Sequence, residues 1–186
     1  MNLLYEALPG SVAVNGSAYP IYTDFRDWLR FFDLQEDTNI SQKEKLRLML
    51  AWYKEQPPPE CLKESIEALI SFAVRGKQLS DTSTSGQKST DRVLSWSYDA
   101  AYIYAAFLSV YRIDLLSIPY LHFHAFMGLL DGLPEDTPLK QRMGYRAVNL
   151  SAIKDKNEKK RIRKIKDSIR IPQAKLDAYQ VGNFFG

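Results

Sequence analysis

The sequence predicts a mainly α-helical, bundle-like fold with a small N-terminal β-hairpin. Apolar residues recur at helical intervals through both halves of the chain, and Ser or Thr residues stand where helix N-caps are needed. The run VAVNGSAYPI, with Asn15-Gly16 at its centre, supplies the hairpin signal. With 186 residues, 45% of them hydrophobic and 12% aromatic, the chain can build a real core as one ordinary domain or two small ones.

The hairpin over Val12 to Ile21 tolerates Pro20 only at an edge or at the end of the second strand, and it needs further packing to be stable. Thr23 is placed to cap a helix from Asp24 to about Leu34, with Phe25, Trp28, Leu29 and Phe32 on one face. Ser41 and Glu44 have capping-box spacing. Leu46, Met49, Leu50 and Tyr53 then repeat at helical intervals until Pro57-Pro58-Pro59 stops the helix. A third helix from Glu60 to about Arg75 turns Leu62, Ile66, Leu69, Ile70 and Ala73 inward, with Gly76 as its stop.

Residues 76–91 hold seven Ser or Thr and a single large apolar residue, Leu79, so they read as a flexible linker between residues 1–75 and 92–186. Beyond it, a helix over Tyr98 to Tyr111 is apolar or Tyr at every position from Ala100 to Leu108. Such a helix has no obvious water-facing side. Ser117, with Pro119 in the first turn, caps a second apolar helix running to about Gly132. Thr137-Pro138 starts a short helix to about Ala147, with Arg142 and Arg146 on one face. Asn149 or Ser151 opens a basic helix whose Ile153, Ile162, Ile165 and Ile169 form a thin docking stripe, and Pro172 ends it. Phe184 and Phe185 close a tail that either meets a partner or frays.

The formal charge of +3 hides an asymmetry: nine Lys and Arg against three acids between Lys154 and Arg170 leave +6 there and −3 elsewhere. Three readings stay open for this helix: a solvated face, a dock for an acidic protein, or a phosphate-binding element without aromatic residues to stack bases. The one cysteine, Cys61, cannot form an intramolecular disulfide, which suits a reducing cytosol. The N-terminal MNLLYEALPGSV lacks the pattern of a secretory signal, and no apolar run approaches the ~20 residues that span a bilayer. No GxSxG, Walker A, GxGxxG or HExxH pattern occurs, so the chain is not expected to be an enzyme. His122 and His124, the only histidines, fall about 200° apart on a predicted helix and so serve packing better than metal binding. No cofactor is implied.

The segments DAAYIYAAFLSVYRIDL, YLHFHAFMGLLDGLPEDTPL and YRAVNLSAIKDKNEKK together resemble the phage gene product fifteen family. Asp99, Ile103, Tyr104, Phe107, Tyr111, Ile113, Asp114 and Leu115 carry the first part. Leu121, His122, Phe126, Leu130, Gly132, Leu133 and Pro134 carry the second, and Arg146 with the basic run the third. AYPIYTDFRDW extends the likeness more loosely towards the N-terminus. The resemblance implies a tail assembly chaperone of long-tailed phages, made in the host cytoplasm and absent from the finished virion. It would keep the tape measure protein soluble and help to recruit the tail tube protein, with self-association open and neither membrane nor nucleic acid expected as a partner. Tyr104, Phe107, Tyr111, His122 and Phe126 on the apolar helices, and Lys159, Arg163 and Lys166 on the basic helix, are the candidate partner-binding residues.

Overall fold

In the computed structural model, which describes residues 5–74 and 92–171, Asn15 and Gly16 take φ angles of 49° and 81° and turn β1 (Ser11–Val14) back on β2 (Ser17–Pro20). Positive φ at both turn positions matches the right-handed twist of the strands. Ser11 pairs with Pro20 and Val14 with Ser17, so the proline stands at the end of its strand, where no ladder donor is missed. The hairpin continues past β2 by a bridge between Ile21 and Tyr53, with Tyr22 N donating to Trp52 O at 2.9 Å and Lys54 N to Pro20 O at 2.9 Å. β1 also packs on α3 (Leu62–Ala73).

That bridge explains a difference from the expected second helix. Ser41 and Glu44 form the capping box, but α2 (Gln42–Met49) does not run on to the prolines. It tightens into a 3-10 turn over Leu50–Trp52, and Tyr53 goes extended to meet Ile21. Likewise α1 (Phe25–Glu36) is capped by Asp24 rather than Thr23, and it buries Phe25, Trp28 and Phe31 while Leu29 and Phe32 are only half-buried. In α3, preceded by a 3-10 turn over Pro59–Cys61, Ile66, Leu69 and Ala73 are buried as expected, but Leu62 is exposed and Ile70 half-buried, while Phe72, not among the expected inward residues, is buried. Both shifts follow from which neighbours arrive: aromatic rings from elsewhere in the chain fill the space over Trp28.

In the second half, α4 (Ala100–Ala106) is followed by a π-helical turn over Phe107–Tyr111. α5 (Phe123–Asp131) begins five residues later than expected from Ser117 and Ile118, with His122 as its N-cap and Gly132 as its C-cap. α6 (Pro138–Ala147) starts on Thr137 as predicted. The basic helix, α7 (Lys156–Ser168), is opened by Asp155, whose carboxylate accepts from Glu158 N at 2.6 Å; Asn149 and Ser151 instead form a separate turn. The expected linker at 76–91, the stops at Gly76 and Pro172, and the Phe184-Phe185 tail lie outside the described residues.

These seven α-helices and the hairpin form two units, interleaved in sequence rather than divided into the linear blocks expected. The first joins residues 5–74 to 107–133; the second joins 92–106 to 134–171. The core of the first is aromatic. Trp28 is fully buried, with ring centroids of Phe72, Phe31 and Phe123 at 4.5, 5.0 and 5.5 Å, and its indole N–H donates to Tyr22 O at 2.9 Å. Phe126 is sandwiched between Phe25 at 4.7 Å and Phe107 at 5.0 Å.

Replacing Trp28 by Ala removes the ring that Phe31, Phe72 and Phe123 share, and a loss of ~3–5 kcal/mol in urea unfolding is expected. Leu48→Ala on the exposed side of α2 should stay within about 0.5 kcal/mol of the parent.

Candidate functional site

Where the second-half chain enters the first unit, it is fastened by polar groups rather than by apolar packing alone. Phe25 N donates to Leu121 O at 2.9 Å and Phe123 N to Thr23 O at 2.8 Å, a two-bond antiparallel bridge around Asp24 and His122. The Asp24 carboxylate accepts from Arg26 N, which caps α1, and from Leu121 N. Arg26 pairs with Asp24 and donates to Leu115 O at 2.9 Å and Ile118 O at 2.6 Å. The extended course of residues 121–122 is what delays α5.

The two histidines therefore do not share a helix as expected. His122 Nδ1 accepts from His124 N at 3.0 Å, which leaves Nε2 as the protonated nitrogen that donates to Pro9 O at 3.1 Å. Burial pushes the His122 pKa down, against a smaller opposing effect of the Pro9 carbonyl. His124 is buried, stacks on Phe72 at 4.2 Å and bonds Phe72 O at 2.9 Å. Their rings lie 5.3 Å apart, not on opposite sides of a helix, and both are held by packing and backbone contacts.

In the second unit, Asp99 is wholly buried beneath α6. Arg146, 3% exposed, meets it with two parallel bonds of 2.6 and 2.9 Å, and Arg142 Nε stands 3.5 Å away. Ser95 N also donates to the carboxylate, and the rest of the Arg146 guanidinium donates to Val93 O and Ile169 O. Burial pushes the Asp99 carboxyl up, but the Arg146 bonds, the Ser95 N–H and the two guanidinium charges outweigh it and hold the pKa below its ordinary value. Arg142 lies over the Tyr102 ring at 4.2 Å and also faces Tyr98. Thus one carboxylate fixes two arginines, and one of them backs a half-exposed pair of tyrosines.

The residues expected to meet a partner are distributed unevenly. Phe107, His122 and Phe126 are buried in the first unit, and Tyr111 donates to Leu129 O at 2.8 Å beside Gly132, where a Cβ would come within 3.4 Å of the Tyr111 hydroxyl. As folded, Phe107, His122 and Phe126 offer no surface, because aromatic stacking inside the unit has claimed them. Tyr104 is half-buried. On α7, Arg163 is exposed, Lys159 is half-buried and Lys166 donates to Val148 O at 2.9 Å.

The exposed apolar surface lies on neighbours that periodicity did not single out. Of the ten large hydrophobic residues most open to water among the described residues, six fall between positions 98 and 120: Tyr98, Tyr102, Leu108, Val110, Leu116 and Tyr120. Leu116 is 82% exposed in the turn that Arg26 clasps, and Tyr120 bonds Thr23 at the surface. Among the described residues no group of three or more His, Cys, Asp or Glu could hold a metal ion, and no helix is long and apolar enough to cross a membrane.

The family model described as Bacteriophage Gp15 protein matches residues 4–171, nine-tenths of the chain. The chain belongs to the Bacteriophage Gp15 protein family. No curated protein and no solved structure gives a significant match. In this Gp15 protein the first and third parts of the sequence signature meet through Asp99 and Arg146, and at Gly132 of the second part a Cβ would crowd the Gly128 carbonyl at 3.3 Å.

Asp99→Asn should destabilise the Gp15 protein by ~3–5 kcal/mol in denaturant unfolding, since it leaves a buried guanidinium without its counter-charge. Both Asp99 and His122 have lowered pKa values in the fold, so each contributes stability above its ordinary value, 3.8 or 6.5, that is lost as pH falls through the folded value. Unfolding followed from pH 7 downwards should show the His122 contribution fading below about 6.5. His122→Asn keeps a capping oxygen without a titrating ring, and it should flatten the profile between about pH 7 and 5.

Proposed function

We propose that this Gp15 protein is a non-enzymatic tail assembly chaperone, acting in the host cytoplasm and leaving before the virion is complete. It binds the tape measure protein, keeps it soluble and aids recruitment of the tail tube protein. The observation that carries this reading is the group of exposed large apolar side chains in the first unit, Leu108, Val110, Leu116 and Tyr120. A monomer surface gains nothing from Leu116 at 82% exposure, whereas a partner helix that covers it removes apolar area from water. Amphipathic helices dock in this way, through a few apolar anchors surrounded by polar residues.

Co-expression with the tape measure protein is expected to raise its soluble fraction and to yield a co-purifying complex. Leu116→Asp should weaken that complex at least about tenfold while leaving the unfolding midpoint unchanged, because this side chain is 82% exposed. Unchanged solubility and no complex would overturn the proposal. Mass spectrometry of purified particles separates a departing chaperone from a retained tail component: the chaperone should be missing.

A further inference from the structure

The sheet of the first unit has two strands, and only one of its outer edges is guarded. Beyond β2, Pro20 has no N–H to offer, its carbonyl accepts from Lys54 N at 2.9 Å, and Ile21 bridges to Tyr53. β1 has no such cover. Ile21 N donates to Gly10 O at 3.0 Å, so the register that pairs Ser11 with Pro20 and Val14 with Ser17 turns the main-chain groups of Gly10, Val12 and Val14 towards β2. The N–H and C=O of Ser11 and Ala13 therefore point away from it. Both residues are exposed, and these four groups meet no partner among the described residues.

The free stretch has definite limits. On the N-terminal side Pro9, next in the same alternation, lacks an N–H, and its carbonyl bonds His122 Nε2 at 3.1 Å. On the other side Asn15, with φ at 49°, leaves the extended conformation. Two donors and two acceptors remain between these stops. Sheets commonly guard such an edge with lysine, proline or a bulge. The strand Ser-Val-Ala-Val has none of these and carries no charge.

We infer that this edge is an interaction surface for β1 of a second copy of this chain, the two strands running antiparallel about a two-fold axis at Val12. Ser11 of each copy then stands opposite Ala13 of the other, and the two donors and two acceptors on each edge close four hydrogen bonds with none left over. Shifting the axis to Ser11 or to Ala13 keeps only two of them, because Pro9 or the turn at Asn15 then falls opposite the remaining groups. With the axis at Val12, the half-buried valines of the two copies meet as a pair of the closely spaced kind. No formal charge on either strand opposes the contact.

A second copy is favoured over an extended segment of a different protein, because one event satisfies both edges. The pairing is isologous and closes into a four-stranded sheet with neither β1 edge open, whereas a foreign strand would turn its own far side to water. Four main-chain bonds and one valine pair make a small contact, so the dimer is reversible. It uses none of Leu108, Val110, Leu116 and Tyr120, and so goes beyond the chaperone reading.

Sedimentation equilibrium of the full chain tests the inference. The mass should rise with concentration from 21.4 kDa towards twice that value and no further. Ala13→Pro deletes one outward donor from each copy and no bond within the hairpin, and it should weaken dimerisation at least about tenfold while the chain stays folded. A second pair of variants changes only exposed side chains. Ser11→Lys with Ala13→Lys sets like charges opposite each other across the axis and should leave a monomer; Ser11→Lys with Ala13→Glu sets opposite charges there and should dimerise. A parent chain monomeric up to about 1 mM, species heavier than a dimer, a folded Ala13→Pro variant that dimerises like the parent, or double variants that associate equally would each overturn the inference. Leu116→Asp should leave the dimer intact, so loss of the tape measure complex and loss of the dimer are separate results.

Discussion

The first unit depends on a polar knot around Asp24. One carboxylate caps α1, accepts the backbone N–H of Leu121 and holds Arg26, which in turn clasps the carbonyls of Leu115 and Ile118. The knot joins segments nearly a hundred residues apart, and without it the unit would lose the strand-like entry that leads into α5. Closing so long a loop costs entropy that local helix formation cannot repay. The return comes from what the entry delivers: Phe123 and Phe126 reach the aromatic core around Trp28 and Phe25. His122 then finishes the junction by capping α5 and reaching Pro9, two bonds that only the neutral ring can make together.

The second unit uses a different solution to a similar problem. Its short helices bury few large apolar side chains, and Asp99 with Arg146 takes the central position. An isolated buried carboxylate would be costly, but this one is met by two guanidinium bonds, a backbone N–H and a second guanidinium. Because Arg146 also bonds the carbonyls of Val93 and Ile169, a single side chain fixes the segment before α4 and the end of α7. The stability of this unit therefore rests on one geometry more than on area. Arg142, held by the same carboxylate, presents Tyr98 and Tyr102 in a fixed arrangement at the surface.

Local signals in the sequence led to the elements whose causes are local. The Asn15-Gly16 turn, the Ser41 and Glu44 capping box, and the Thr137-Pro138 start all depend on residues within four positions of one another, and each stands where the pattern put it. The departures have distant causes. Tyr53 leaves its helix for Ile21, Ser117 fails to start α5 because residues 121–123 are captured by α1's leading edge, and Asp155 displaces Asn149 as the cap of α7 because the intervening chain turns first. Asp99 and Arg146 were visible as members of one family signature. Their pairing was not, since a buried ion pair leaves no periodic trace.

The same distinction governs where a partner could bind. Apolar density from Ala100 to Leu130 signals surplus hydrophobic surface, but density alone does not say which side chains the protein keeps for itself. Stacking decides it: the rings with a neighbour to pack against, Phe107, Phe123 and Phe126, go inside, whereas Leu108, Val110, Leu116 and Tyr120 are left facing water. An interaction surface of this kind costs the fold little, because its residues make few contacts that a partner must break. It also explains how binding and folding divide a short sequence between them. Residues next to one another, such as Leu115 and Leu116, take opposite roles: one is buried with its carbonyl held by Arg26, and the other stands in solvent, open to whatever covers it.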